Sequence, residues 1–251
     1  MLSLIQRITA SATGGDSQKP FEEIVPDYHS MGYQQFELYS TGRGSSPDYN
    51  KGAAYYAQKA KEYGIRYSSF HLPPIEEGDE KSFDEALKWY YFANELEIPV
   101  CVFNSHKKEF YAKLLSKMVA KIESLKPVLL VQVHEGRSLE SLEDVQQVLK
   151  EVNHPKVKAL HELGSYHGIG VSWKKVIDTL WPRIGLFHLK DMVGSQSVPF
   201  GTGEVDFASL FETVKSIGYE GSFVIELATK DSENTNRYFR EAFSFFKQFD
   251  K

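Results

Sequence analysis

The stretch from Arg183 to Phe207 holds the side chains best suited to chemistry. An apolar run of Ile184, Leu186, Phe187 and Leu189 carries His188 and ends in Lys190 and Asp191. A Gly201-Thr202-Gly203 turn and a helix start at Asp206 follow. Further on, Ser222 to Leu227 repeats the design, an apolar strand with a single acid, Glu226. A charged or metal-ligating side chain inside a buried strand is costly unless it is paired or coordinates something. Two such strands in succession therefore point to a site where parallel strands end. Imidazole and carboxylate together can relay a proton or hold a divalent cation.

Strand parity widens the set, because alternate side chains of a barrel strand face the axis. Around Leu129 to His134 the odd positions Leu129, Val131 and Val133 are apolar and suit a helix layer, which turns Gln132 and His134 inward. Phe223, Ile225 and Leu227 leave Glu226 inward in the same way, and Phe36 and Leu38 do so for Glu37. His71, Asn104, Glu162 and His188 end their own strands. Seven polar residues thus gather at strand C-termini: Glu37, His71, Asn104, His134, Glu162, His188 and Glu226. In β/α barrels that face carries the active site.

The elements that must position them alternate. Strands are expected at Leu2–Ile8, Gly32–Tyr39, Ile65–His71, Pro99–Phe103, Val128–His134, Val157–Glu162, Ile184–Lys190 and Ser222–Leu227. Helices are expected at Pro20–His29, shortened or kinked by Pro26, and at Ala53–Tyr63, capped by Gly64. Further helices fall at Ser82–Leu96, Lys108–Leu125, Leu142–Val152, Trp173–Leu180, Phe207–Ile217 and Asn236–Phe249. Eight strand–helix units imply a parallel sheet, and at 251 residues they favour one closed (β/α)8 barrel over residues 1–251. No GxGxxG follows the first strand, which counts against a dinucleotide site.

Composition narrows the function classes. Hydrophobic residues make up 41% of the chain, enough for a sizeable core. A net charge of −5 argues against nucleic acid as a partner, since phosphate contacts need a basic face. The single cysteine, Cys101, reads as a small buried hydrophobe. The amino terminus has no run long enough for a signal or a membrane span, so a cytoplasmic protein without membrane contact is expected. A homo-oligomer is left open.

The carboxy-terminal part resembles the xylose-isomerase-like superfamily of TIM barrels, the sugar phosphate isomerase/epimerase family. The residues that carry the resemblance are His188-Leu189-Lys190-Asp191, Pro199-Phe200-Gly201-Thr202-Gly203-Glu204-Val205-Asp206-Phe207, Ile217-Gly218-Tyr219-Glu220-Gly221 and Glu226-Leu227. Weaker likeness covers Gly32-Tyr33 with Glu37-Leu38, and His71-Leu72-Pro73. The resemblance implies one divalent ion (Mn, Mg, Co or Zn) held by side chains of the last four strands. Carried over by position, these are His134, Glu162, His188 and Glu226. The chain departs from the family at two points. His134-Glu135 stands where Glu-Asn is usual, and Glu162-Leu163-Gly164-Ser165 stands where DxGH is usual.

The function implied is isomerisation or epimerisation of a sugar, keto-sugar or sugar phosphate by proton transfer beside a carbonyl. Glu226 fills one proton-handling role, and Glu135, His134 or Glu162 is open for the other. Glu37, His71, Asn104 and Lys190 are the expected substrate contacts, with Lys190 on a substrate oxygen or phosphate. Plainer readings stand beside these. Glu37 could pair with Arg66, His71 could be a core histidine, His161 should face the helices, and His167 could replace the missing motif histidine. Asp191 should fix its loop, and the Gly201–Gly203 turn is weak support for a phosphate cradle. The competing functions are a polyol dehydratase on the same scaffold, a non-catalytic sugar-binding barrel with a degenerate metal site, and an AP-endonuclease-like phosphodiesterase. Net negative charge disfavours the last.

Overall fold

Eight parallel strands close on themselves into a barrel, in which the first strand of the chain pairs with the last. The structure is a computed structural model that describes residues 2–11, 19–43, 45–134, 136–227 and 232–250. The barrel strands are β1 (Ile8–Ser11), β2 (Gln35–Tyr39), β3 (Arg66–His71), β4 (Val100–Phe103), β5 (Val128–Val131), β6 (Val157–Glu162), β7 (Ile184–Leu189) and β10 (Phe223–Ile225). Helices α2 (Phe21–Met31), α3 (Gly52–Tyr63), α4 (Glu80–Glu95), α5 (Lys108–Ile122), α6 (Leu142–Val152), α8 (Trp173–Leu180), α9 (Phe207–Ser216) and α10 (Thr235–Lys247) follow the strands in turn. The expected (β/α)8 TIM barrel is what forms.

The wall has two apolar faces. Val100, Val102, Leu130, Leu160, Leu186 and Val224 fill the lumen as a cluster of their own. Leu129, Val131, Val133, Phe187, Leu189, Phe223, Ile225 and Leu227 pack outward into the helix layer. The period-2 alternation of strands explains both sets. It also aims His188 and Glu226 into the lumen above the apolar plug, one pleat beyond Leu186 and Val224.

Four local expectations are corrected. Leu4–Arg7 is a helical turn (α1), not the start of a strand, and β1 begins at Ile8. The turn is closed by Gln6, whose side chain accepts from the Ser3 N–H at 3.0 Å. Helix α4 is capped by Asp79, whose carboxylate accepts from the Lys81 N–H at 2.9 Å, so it starts at Glu80 rather than at Ser82. A short helix α7 (Leu163–Gly168) follows β6 directly, and a hairpin of β8 (Asp191–Val193) and β9 (Gln196–Val198) follows β7. Only α7 overlaps an altered motif, and in both places three-residue strands or a six-residue helix leave too little periodicity to read. Among the described residues no helix is long and apolar enough to cross a membrane.

Candidate active site and metal centre

Register brings the chemistry together. Glu162 on β6 lies beside His188 on β7, and the Glu226 N–H donates to the Leu189 carbonyl at 3.0 Å, which sets Glu226 next to the end of β7. Across the barrel, β2 carries Glu37 opposite Ser69 of β3. Arg66 pairs with Gln35, two residues before Glu37, and stays exposed, while a register shift between Phe36 and Glu37 sets Glu37 beside Ser69 rather than Ser68. The Glu37–Arg66 ion pair is therefore overturned.

Glu37 is fully buried and is the hub of the first half of the site. Its Oε2 accepts from Ser69 Oγ at 2.7 Å and from His188 Nε2 at 3.0 Å, and lies 3.2 Å from His71 Nε2. Its Oε1 accepts from the Tyr39 hydroxyl at 3.0 Å. Tyr39 stacks on His71, with ring centroids 4.1 Å apart and planes 12° apart, and its hydroxyl reaches 3.5 Å from Glu226 Oε1. Tyr39 and Ser69 were not singled out from the sequence. Tyr39 was detectable, because it lies two residues after Glu37 and so shares its inward parity.

His188 joins the two halves. Its Nδ1 faces Glu162 Oε2 at 2.9 Å and Glu226 Oε1 at 3.3 Å. Lys190 spans the other oxygens of the same two acids, with Nζ 3.3 Å from Glu162 Oε1 and 2.8 Å from Glu226 Oε2. Gln132 donates to Glu162 Oε2 at 3.1 Å. Burial alone would lower the His188 pKa, but Glu37, Glu226 and Glu162 hold it well above the ordinary histidine value. Burial opposes the charged forms of Glu37 and Glu226 as well. His188 and His71 nevertheless keep Glu37 below the usual carboxylate range, and Lys190 and His188 do the same for Glu226. Lys190 is held above its ordinary value by Glu226 and Glu162 despite its own burial.

A divalent ion suits this arrangement. The Nδ1 of His188 is buried without a well-aligned hydrogen-bond partner, and it points between two carboxylate oxygens. One imidazole and two carboxylates, with ligand atoms within 4.8 Å of one another, could hold a metal ion. Glu37 on the far nitrogen of His188 supplies the carboxylate–histidine support typical of ligating histidines. Glu37, His71 and His188 form a second such group, buried throughout. The candidate ligands are thus Glu162, His188 and Glu226. His134 is set apart: β5 ends at Val131, and the imidazole three residues beyond is exposed at the rim and belongs to neither group. Glu135 lies outside the described residues.

Above the cluster a cavity of about 750 Å³ opens at the strand C-termini, lined by Tyr39, His71, Asn104, Gln132, His134, Lys190 and Glu226, with Arg43 and Arg137 at its mouth. Glu37, expected to touch substrate, lies beneath this floor instead. The Gly201–Gly203 turn is not an open anion cradle. Asp191 Oδ2 already accepts from the Gly201 and Gly203 N–H groups at 2.8 and 2.9 Å, and a Cβ on Gly203 would meet Asp191 Oδ1 at 2.1 Å. Asp191 fixes its loop as expected. His161 faces the helix layer, stacked on Phe187, and His167 lies 3.6 Å from Glu204, away from the cluster.

Residues 25–249 match the xylose isomerase-like TIM barrel family. The chain belongs to that family. An inosose dehydratase from Geobacillus thermodenitrificans is 28% identical over 113 residues, 37% of this chain and 38% of that protein. An L-ribulose-5-phosphate 3-epimerase from Salmonella paratyphi B is 45% identical over 49 residues, 19% of this chain and 17% of that protein. The match thus spans well under half the length of either curated relative. A solved AP endonuclease, family 2, from Brucella melitensis superposes with a TM-score of 0.80 at 16% identity, over 98% of this chain and all of that one. At that identity the likeness shows the shared barrel. The two curated relatives named are a dehydratase and an epimerase, and the candidate site lies at the strand C-terminal face that β/α barrels use for catalysis.

Proposed function

We propose that this chain is an isomerase or epimerase that moves a proton beside the carbonyl of a sugar, keto-sugar or sugar phosphate. One observation carries the reading. Of the three clustered carboxylates, only Glu226 lines the cavity, and the Lys190 ammonium stands 2.8 Å from it. Glu226 is then the group that takes the proton from carbon. Lys190 and the Tyr39 hydroxyl are donors positioned to hold the oxygen on which charge develops. Glu37, anchored by Ser69, Tyr39 and His71, keeps the His188 ring in place from below. His71, Asn104 and Gln132 offer hydrogen bonds to hydroxyls. His134 at the rim is the candidate for returning a proton on the opposite face.

Glu162, His188 and Glu226 would hold one divalent ion, which when bound supplies polarisation of the carbonyl and neighbouring hydroxyl oxygens. The test is exchange of solvent deuterium into a panel of ketoses and ketose phosphates, followed by NMR. Exchange that disappears in Glu226→Gln supports the reading. A protein that exchanges no sugar, yet is raised in melting temperature by one, is a binder and not an isomerase.

The match to an inosose dehydratase gives a second reading, loss of water from a cyclic keto-polyol. It begins with the same proton removal by Glu226. It is distinguished by release of an enone rather than a rearranged sugar.

A further inference from the structure

We propose that Lys190 is a resident counter-ion of the candidate metal centre, sharing Glu162 and Glu226 with a divalent ion and setting how tightly that ion is held. The inference rests on the metal-binding part of the reading above. Each of the two acids divides its oxygens. Glu162 turns Oε2 to His188 Nδ1 and Oε1 to Lys190 Nζ, while Glu226 turns Oε1 to His188 and Oε2 to Lys190. An ion seated on the histidine side therefore meets two carboxylates that an ammonium has already partly neutralised. Neither can offer both oxygens while Lys190 stays.

The position of Lys190 is built into the fold. Its stem runs over Gly164 in α7, where a Cβ would lie 2.5 Å from Lys190 Cδ and 3.2 Å from its Cβ. The side chain is only 16% exposed, and among the described residues it forms ion pairs with Glu162 and Glu226. The neighbouring acid, Asp191, is committed to the N–H groups of the glycine turn. Lys190 thus has a fixed seat beside the two acids, with no competing acid next to it among the described residues. With the ion absent, its charge keeps the buried acids from facing each other uncompensated. With the ion present, the same charge opposes it. A unit charge a few ångströms away, at the effective dielectric of a protein interior, is worth more than one factor of ten in affinity.

The experiment is Mn2+ titration by calorimetry of chelator-stripped wild-type protein, Lys190→Met and Gly164→Ala, with melting temperatures of the stripped and loaded forms. Lys190→Met should bind Mn2+ at least about tenfold more tightly than wild type. Its stripped form should melt below stripped wild type and recover on adding Mn2+. Gly164→Ala retains the charge but fills its slot, and should tighten Mn2+ binding in the same direction by less. If Lys190→Met does not fold, Gly164→Ala decides alone. Wild-type or weaker affinity in the folded variants overturns the inference. Absence of Mn2+ binding in all the folded proteins also overturns it, and deuterium exchange dependent on Glu226 would then still leave the proton-transfer reading standing.

Discussion

Two fully buried histidines on neighbouring strands have opposite environments. His161 and His188 stand on β6 and β7, where His161 pairs with Phe187 and Glu162 with His188. One residue of parity puts His188 in the lumen among three carboxylates and His161 on the outer face against Phe187, with Nε2 3.1 Å from the Trp173 carbonyl. Both imidazoles are desolvated to the same extent, yet their pKa values move apart. Carboxylates raise that of His188, while burial pushes His161 down to about 4. Residue type and burial alone do not mark a site here. The side of the wall does, because the lumen face alone collects charges from several strands at one level.

The comparison is broken most severely at Glu226. Glu226→Gln preserves shape and removes the only clustered carboxylate that reaches the cavity. Solvent exchange into substrate should fall by roughly a hundredfold to ten-thousandfold, the usual worth of a positioned general base. The fold should persist, which far-ultraviolet circular dichroism will report. One pleat lower in the lumen the same wall is purely structural. Leu186 is 1% exposed within the apolar plug, and Leu186→Ala should cost about 2–5 kcal/mol in urea unfolding, the range for a buried leucine. Exchange per folded molecule should change little, since the plug touches no substrate. A large loss of turnover without loss of stability would show that the two layers are not separable.

The division of the wall was legible in the sequence wherever apolar residues alternate over a whole strand. Leu129, Val131 and Val133 marked their face, as did Phe223, Ile225 and Leu227, so Glu226 was placed correctly from parity alone. Glu162 and His188 stand out because strands end there, β6 on Glu162 and β7 one residue after His188. The same logic groups His134 with them, but β5 stops at Val131 and the chain has left the barrel before reaching it. Parity fixes which side a residue faces and not how far along the barrel its strand continues. The Glu37 partners were illegible for a related reason. Arg66 falls opposite Gln35, and the irregularity between Phe36 and Glu37 moves the Glu37 neighbour from Ser68 to Ser69; a β-bulge leaves no mark in a single sequence. Lys190 between two acids depended on Gly164, a residue whose importance is the space it leaves.

Glu37→Gln sharpens the comparison from beneath the floor. The variant keeps an acceptor for His188 Nε2 but loses the charge that supports it, along with part of the network to Ser69, His71 and Tyr39. Affinity for Mn2+ or rate of exchange should fall by about tenfold to hundredfold, as for other residues that orient a ligating histidine. Ser69→Ala removes one of the hydrogen bonds to Glu37 and should have a smaller effect in the same assay. If Glu37→Gln behaves as wild type, the two halves of the cluster are independent, and His188 is held by β7 alone.

The smallest effect belongs to the outer face. His161 is neutral when folded, with a pKa near 4 against 6.5 for the free side chain. Its folded-state value is depressed, so its contribution to stability is complete above pH 6.5 and declines as pH falls from there toward 4. Near pH 5.5 the loss should be about 1 kcal/mol, because the unfolded chain takes up a proton that the folded one refuses. His161→Phe keeps a flat ring against Phe187 and gives up the contact to the Trp173 carbonyl. It should be less stable than wild type at pH 7.5 and should lose less stability between pH 7.5 and 5.5, in urea unfolding at both values. Equal acid sensitivity in the two proteins would mean that His161 is protonated in the fold. The outer wall would then tolerate a charge, and depth rather than facing would distinguish the two histidines.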